Sequence, residues 1–290
     1  MNKYSFLLII TIVFIASQSI AQKHTFGSEE PTTVIKEIKR DNGQLYNLVI
    51  TLPLQYQPEK EYKILYYLDA WWLKDLVIGC YRIKSLASKT TSNNLEEVIL
   101  VGISSVGDER AWNRQRNMDF TPSKFNSKFT LKFGEEELNE TTSGGAEGFL
   151  QFFRDQIITS IESKYKVDSK TRGLMGHSFG GLLGFYTYLE HSKLFANYLL
   201  ISPAVWWNQS EIFNDKGTIV NKRESNIFIA VGTSEAEILK SPLAKLVEKI
   251  KSEKNGKLRM TYKQYDNADH HSVLPQAIYD GIEYIYTKTK

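Results

Sequence analysis

The chain has 290 residues, 42% of them hydrophobic, which is ample for a sizeable core at a length that α/β folds commonly reach as one domain. Its formal charge of +3 comes from 36 basic and 33 acidic side chains spread along the sequence, with no basic stripe or arm of the kind that follows a phosphate backbone, so a nucleic acid partner is not expected. The single cysteine, Cys80, cannot form an intramolecular disulfide; stability must come from packing, and Cys80 reads as a small buried apolar residue.

Met1 to Ala21 has the layout of a secretory signal. Lys3 supplies a short positive start, Phe6 through Ile15 an apolar stretch, and Ser19-Ile20-Ala21 a small-x-small cleavage site before Gln22. The apolar run is shorter than the roughly 20 residues that a spanning helix needs, and no cysteine follows the cleavage point to carry a lipid. A mature chain 22–290, periplasmic or secreted and without a stable membrane anchor, is the expectation.

From there, apolar runs of strand length alternate with amphipathic segments of helix length, the pattern of a mostly parallel central sheet with helices on both faces. Strands are expected at Leu45 to Leu52, Lys63 to Leu68, Val98 to Ile103, Arg172 to Met175, Tyr198 to Ile201, Ile227 to Val231 and Leu258 to Tyr265. The helices between them are expected at Leu73 to Ser88, Gly148 to Tyr165, Gly180 to His191, Leu239 to Lys251 and Leu274 to Thr287. The polar, aperiodic stretch at about 105–145 is too long for a simple connection and reads as a binding loop or lid inserted in the domain.

Gly176-His177-Ser178-Phe179-Gly180 falls where an expected strand gives way to an expected helix, the context in which a G-x-S-x-G sequence forms a sharp turn that exposes a nucleophilic serine. A serine hydroxyl is a poor nucleophile until a base takes its proton, and the base in turn needs a carboxylate to fix its tautomer. Of the five histidines, His24 precedes the domain, and His191 lies roughly 20 Å along the helix that follows Ser178. His177 should project to the other side of the turn and make a structural hydrogen bond. His270 and His271, in the loop after the last strand, remain as candidate bases. The acid is expected in the loop after Ile227–Val231, where Glu235 is the first carboxylate and Glu237 the reserve. Asp266 and Asp269 share the histidines' own short loop, from which a side chain rarely reaches the far imidazole nitrogen. An oxyanion would be met by the amide after the nucleophile, Phe179, and by one from the loop after an early strand, Trp71.

All five tryptophans follow expected strand C-termini: Trp71, Trp72, Trp112, Trp206 and Trp207. That edge is where open α/β sheets bind ligands, so they suggest an aromatic-lined cleft, although part of the set is expected to be ordinary packing. Arg114 and Arg116, in the long loop, are candidates for capturing an anionic substrate or for local pairing with Asp108, Glu109 and Asp119. No metal-ligand spacing, Walker loop or dinucleotide fingerprint occurs, so no metal and no cofactor are expected.

With these residues in place, the chain resembles the family of α/β-hydrolases named Putative esterase, which contains ferri-enterobactin (siderophore trilactone) esterases and is akin to the esterase D group. The landmarks are Ile64-Leu65-Tyr66-Tyr67-Leu68-Asp69, Val101-Gly102-Ile103, Arg114 through Pro122, Gly144-Gly145-Ala146, Gly176 through Gly181, Ile201-Ser202-Pro203 with Trp206-Trp207, and His270 through Pro275. The resemblance implies an α/β-hydrolase fold, a serine carboxylic-ester hydrolase, Ser178 as nucleophile and His270, in an H-G-S-V-like block, as base. Ala70 and His271 stand where the family usually has glycine. The implied substrate is an aromatic or anionic ester, a siderophore lactone being one candidate, with a carbohydrate acetyl or feruloyl ester as the alternative. A catalytically silent esterase-like binding module is the alternative of another class.

Overall fold

Five strands read as near-continuous apolar runs because both of their faces are covered. These are β3 (Lys63–Tyr67), β4 (Val98–Ser105), β7 (Gly173–His177), β8 (Asn197–Ile201) and β9 (Ser225–Gly232), in which nearly every residue is buried. The computed structural model describes residues 32–90, 94–126, 131–133, 136–214, 224–253 and 256–287. The expected signal segment and His24 lie outside the described residues.

With β1 (Thr33–Lys39), β2 (Leu45–Thr51) and β10 (Leu258–Tyr265) the five complete an eight-stranded sheet in the order β1-β2-β4-β3-β7-β8-β9-β10. The β1–β2 and β2–β4 pairs are antiparallel and the other neighbours parallel. β1 was not expected, since Thr-Val-Ile-Lys-Glu-Ile-Lys has no buried face to impose alternation. It is an exposed edge strand, registered only by its hairpin to β2.

One face carries α1 (Ala70–Thr90) and α8 (Leu274–Tyr286), packed through Leu73, Val77, Ala277 and Ile278. Cys80 is buried in the same layer. The opposite face carries α3 (Ala146–Phe152), which runs on through a π-turn (Phe153–Ile158) into α4 (Thr159–Glu162), then α5 (Phe179–Glu190) and α7 (Glu237–Glu253), around Phe149, Phe153, Leu182, Phe185 and Leu246. The helix α6 (Trp207–Asn214) is irregular, with left-handed backbone at Asn208, Gln209 and Ser210. No helix among the described residues is long and apolar enough to cross a membrane.

The 105–145 stretch is not the aperiodic loop expected. It holds α2 (Glu109–Asp119) and a small hairpin of β5 (Leu131–Phe133) and β6 (Glu136–Leu138). Asp108 caps α2, accepting the Ala111 amide at 2.9 Å. The helix escaped a search for apolar periodicity because its buried residues are polar: Asn113, Arg116, Asn117 and Asp119.

Asp119, fully buried, accepts from the Tyr46 hydroxyl at 2.7 Å and from Arg40 at 3.2 Å. Burial outweighs both donors and pushes its carboxyl up to about 7. A folded-state value above the ordinary aspartate value of about 4 means that the folded chain binds the extra proton, so this contribution to stability is present below about pH 4 and lost as pH rises through about 7. Urea titrations should therefore show the stability of the wild type, relative to Asp119→Asn, declining between these limits and level above them; a difference that is flat or rising with pH would contradict it.

Candidate active site

At the C-terminal end of β7 the chain turns through Ser178, whose backbone sits at φ 56, ψ −115, and enters α5 at Phe179. A non-glycine residue is held in such a conformation only when its surroundings over-determine it. Here the Ser178 amide donates to Ile201 O at 3.0 Å, and its carbonyl accepts from Leu182 and Ala204. Gly176 makes the turn possible, since a Cβ there would lie 2.2 Å from the backbone of Gly180. Ser178 is partly exposed, whereas Gly176, His177, Phe179 and Gly180 around it are buried.

The loops after β9 and β10 meet beside this turn. Gly232 ends β9, and a Cβ on it would lie 2.2 Å from Ala268 O, so glycine is what lets the two loops close. Ser234 N bonds Ala268 O at 2.9 Å and Thr233 N bonds Tyr265 O at 3.0 Å. The closure sets Glu235 Oε2 2.8 Å from His270 Nδ1, while Oε1 accepts from the Ser202 hydroxyl at 2.5 Å and the Gly232 amide at 2.7 Å. Burial alone would raise the Glu235 carboxyl, but the bonds from His270, Ser202 and Gly232 outweigh it and hold it below the ordinary glutamate range. Glu237 opens α7, exposed and paired with Lys240. Asp269 accepts the amides of His271 and Ser272, which hold it down at about 2, and so braces the histidine loop.

His177 is buried. Its Nε2 bonds the carbonyl of His270 at 2.8 Å, and the two rings lie 4.5 Å apart. Because a carbonyl only accepts, Nε2 carries the proton. Burial first, then neighbouring His270 and Arg116, press its pKa well below the usual value and keep the ring neutral. The histidine loop is thus tied to the residue preceding Ser178.

A buried ion pair that the sequence reading missed lies under the same edge. Arg116 grips Asp69 bidentately, with Nε and Nη2 each 3.0 Å from a carboxylate oxygen. Trp112 Nε1 adds a third donor at 3.0 Å, and Arg116 Nη2 also reaches His177 O at 3.5 Å. Asp69 has a left-handed backbone, φ 58, and its carbonyl accepts the first amides of α1, which therefore starts at Ala70 instead of Leu73. Arg116 is accordingly committed to Asp69 and does not offer its guanidinium to an anionic substrate; of the two readings left open for it, pairing holds, with Asp69 in place of Asp108, Glu109 or Asp119. Arg114 is exposed and lines a separate groove with Gln44 and Met118. Arg116→Met would strand a buried carboxylate, for which a cost of about 3–5 kcal/mol is typical. Urea denaturation should show a loss near the lower figure, because Trp112 remains; an unchanged midpoint would contradict the pairing.

The tryptophans divide. Trp71 stacks on Trp112 with centroids 5.5 Å apart and donates to Gly107 O at 3.1 Å. Trp72 packs edge-on against His177 and His271. These three are half-buried, as is Trp206, which lies 6.1 Å from Phe179. Trp207 departs from expectation: it is fully buried, donates to Ser123 Oγ at 3.0 Å and packs on Phe125 and Phe179, so it belongs to the core and presents no surface to a substrate. Trp71 and Trp72 lie in the first turn of α1, Trp112 within α2 and Trp207 within α6, not in loops.

This strand order, with a serine turn between β7 and α5 and a carboxylate–imidazole pair on the loops after the last two strands, defines an α/β-hydrolase. The fold of two solved structures agrees. The BES protein from Bacillus cereus superposes with a TM-score of 0.79 at 24% identity, covering 88% of this chain and 96% of that one. An IroE-like serine hydrolase from Shewanella oneidensis gives 0.75 at 22% identity, covering 88% and 80%. The family model Esterase, described as Putative esterase, matches residues 41–273, and the chain belongs to that family. It is an ester-bond hydrolase. Among curated proteins it is similar to the ferri-bacillibactin esterase BesA of Bacillus subtilis (strain 168), 28% identical over 246 residues, spanning 81% of this chain and 83% of the relative.

Proposed function

We propose that the chain is a serine carboxylic-ester hydrolase working through an acyl-enzyme, with Ser178 as nucleophile, His270 as general base and then acid, and Glu235 as the carboxylate that orients it. The Glu235–His270 bond at 2.8 Å, on a loop tied by His177 to the Ser178 turn, is the observation that carries this reading. With Nδ1 engaged by Glu235, Nε2 of His270 is the nitrogen left for proton transfer. The Ser178 hydroxyl, which has no hydrogen-bond partner among the described residues, gives its proton to Nε2 as Oγ attacks the ester carbonyl. The imidazolium then protonates the departing alkoxide. Water, deprotonated by the same nitrogen, attacks the acyl-enzyme and releases the acid and Ser178.

The amides of Phe179 and Trp71 are the proposed donors to the tetrahedral oxyanion. Both sit at helix N-termini, of α5 and α1, where the helix dipole favours negative charge. Trp72, Trp112 and Trp206 are proposed as an aromatic wall for the acyl group. The relatives' names favour a siderophore lactone as the substrate class, and the export signal read from the sequence favours action in the periplasm or outside the cell. No specific observation favours the carbohydrate ester.

The test is a kcat/KM comparison on a catecholate trilactone, a feruloyl ester and an acetylated xylan, with mass spectrometry of the quenched enzyme. An acyl adduct on the Ser178 peptide and a preference for the trilactone of at least about 10²-fold are expected. An adduct elsewhere would overturn the mechanism, and a preference for either sugar-linked ester the substrate class. Export predicts a mature protein beginning at Gln22 in the periplasm or medium; intact mass of the protein from those fractions decides it.

A further inference from the structure

We infer that Ser202 is a positioning residue for the reaction, fixing Glu235 so that one carboxylate oxygen is held and the other is turned to His270. The inference rests on the reading of Glu235 as the triad acid. A carboxylate has two equivalent oxygens and several lone-pair directions, so contact with a single histidine does not define its rotation. In this structure Oε1 is pinned from two sides, by Ser202 Oγ at 2.5 Å and by Gly232 N at 2.7 Å, and Oε2 is left for His270 Nδ1 at 2.8 Å. Of the two, only the Ser202 bond comes from outside the acid's own loop.

Ser202 is 2% exposed and has a left-handed backbone, φ 43, which a glycine would adopt more readily. A serine held there is a strained residue beside a reacting group, and its hydroxyl gives the strain a use. Its neighbours strengthen the case. Ile201 O accepts the Ser178 amide, the Ser202 amide donates to Ala230 O on β9, and the Ala204 amide donates to Ser178 O. One four-residue segment, Ile201-Ser202-Pro203-Ala204, therefore touches the nucleophile through its backbone and the acid through a side chain, and sets the two in register. The titratable groups facing Glu235 are His270 from the loop after β10 and, more remotely, Tyr262 on β10.

Ser202→Ala should lower kcat for a p-nitrophenyl ester about tenfold with KM nearly unchanged, the size expected for one hydrogen bond to a charged group. Removing a donor that favours the carboxylate should also move the acidic limb of the kcat/KM profile to higher pH, which loss of packing alone would not do. Ser202→Gly relieves the backbone and also lacks the hydroxyl, so it should match Ser202→Ala in both readouts. In a Glu235→Ala background Ser202→Ala should have no further effect, because its action passes through Glu235. Wild-type kinetics in Ser202→Gly, an unmoved acidic limb, or equal losses in the wild-type and Glu235→Ala backgrounds would each overturn the inference. If Glu235→Ala itself left activity intact, the triad reading would fail instead; damage from Glu235→Ala with none from Ser202→Ala would remove this inference alone.

Discussion

Ser178→Ala should reduce kcat for ester hydrolysis by about 10⁴ to 10⁶-fold while leaving the unfolding free energy within about 0.5 kcal/mol of the wild type. The first expectation follows from the place of this hydroxyl, on the G-x-S-x-G turn beside the loop that carries His270. Ser178 occupies the turn at φ 56 between a buried strand and the N-terminus of α5, packed so tightly that a Cβ at Gly176 would lie 2.2 Å from the Gly180 backbone. The second follows from what the side chain does not do. Its Oγ has no hydrogen bond among the described residues, and the bonds that hold the turn run through backbone atoms to Ile201, Leu182 and Ala204, which alanine keeps. Steady-state hydrolysis of p-nitrophenyl butyrate and a urea titration measure the two. An alanine variant within tenfold of wild-type activity would remove serine catalysis altogether.

His270→Ala should cost about as much as Ser178→Ala, and His271→Ala less than about tenfold. The adjacent rings are easily confused in sequence, yet their surroundings differ. His270 Nδ1 is bonded to a buried carboxylate, whereas His271 is exposed and packs edge-on against Trp72. The His270 carbonyl, held by His177, survives the alanine substitution, so a loss in His270→Ala reports the imidazole and not a collapsed loop. Because the residues of a triad act as a unit, Ser178→Ala/His270→Ala should be no worse than either single variant. A severe loss in His271→Ala with an active His270→Ala would transfer the base to the neighbour.

The polar face of α2 shows why part of the site escaped the sequence. Arg116 and Asp69 are 47 positions apart, and Arg116 reads as substrate-facing or as paired within its own segment until the fold brings Asp69 beneath it. The pair ties the start of α1, with Trp71, to the His177 carbonyl next to Ser178, so an inserted helix braces the two places from which oxyanion donors are proposed. Asp108 before a run of helix formers was the one local signal that could have placed α2.

Local sequence determined the parallel strands, because a strand covered on both faces must be apolar along its length, and it determined the serine turn, because only glycine fits at Gly176. It also marked the loops after β9 and β10 as the places to look for the proposed acid and base, with Glu235 or Glu237 for the first and His270 or His271 for the second until the family resemblance favoured His270. Tertiary structure alone showed which carboxylate meets an imidazole, through the closure over Gly232 that brings Glu235 to His270 and leaves Glu237 on the surface. It likewise added β1, sent Trp207 into the core, committed Arg116 to Asp69 and set Ser202 against Glu235. Burial leaves a periodic trace in the residues it covers; a polar contact between distant segments leaves none, since either partner alone reads as an ordinary surface residue.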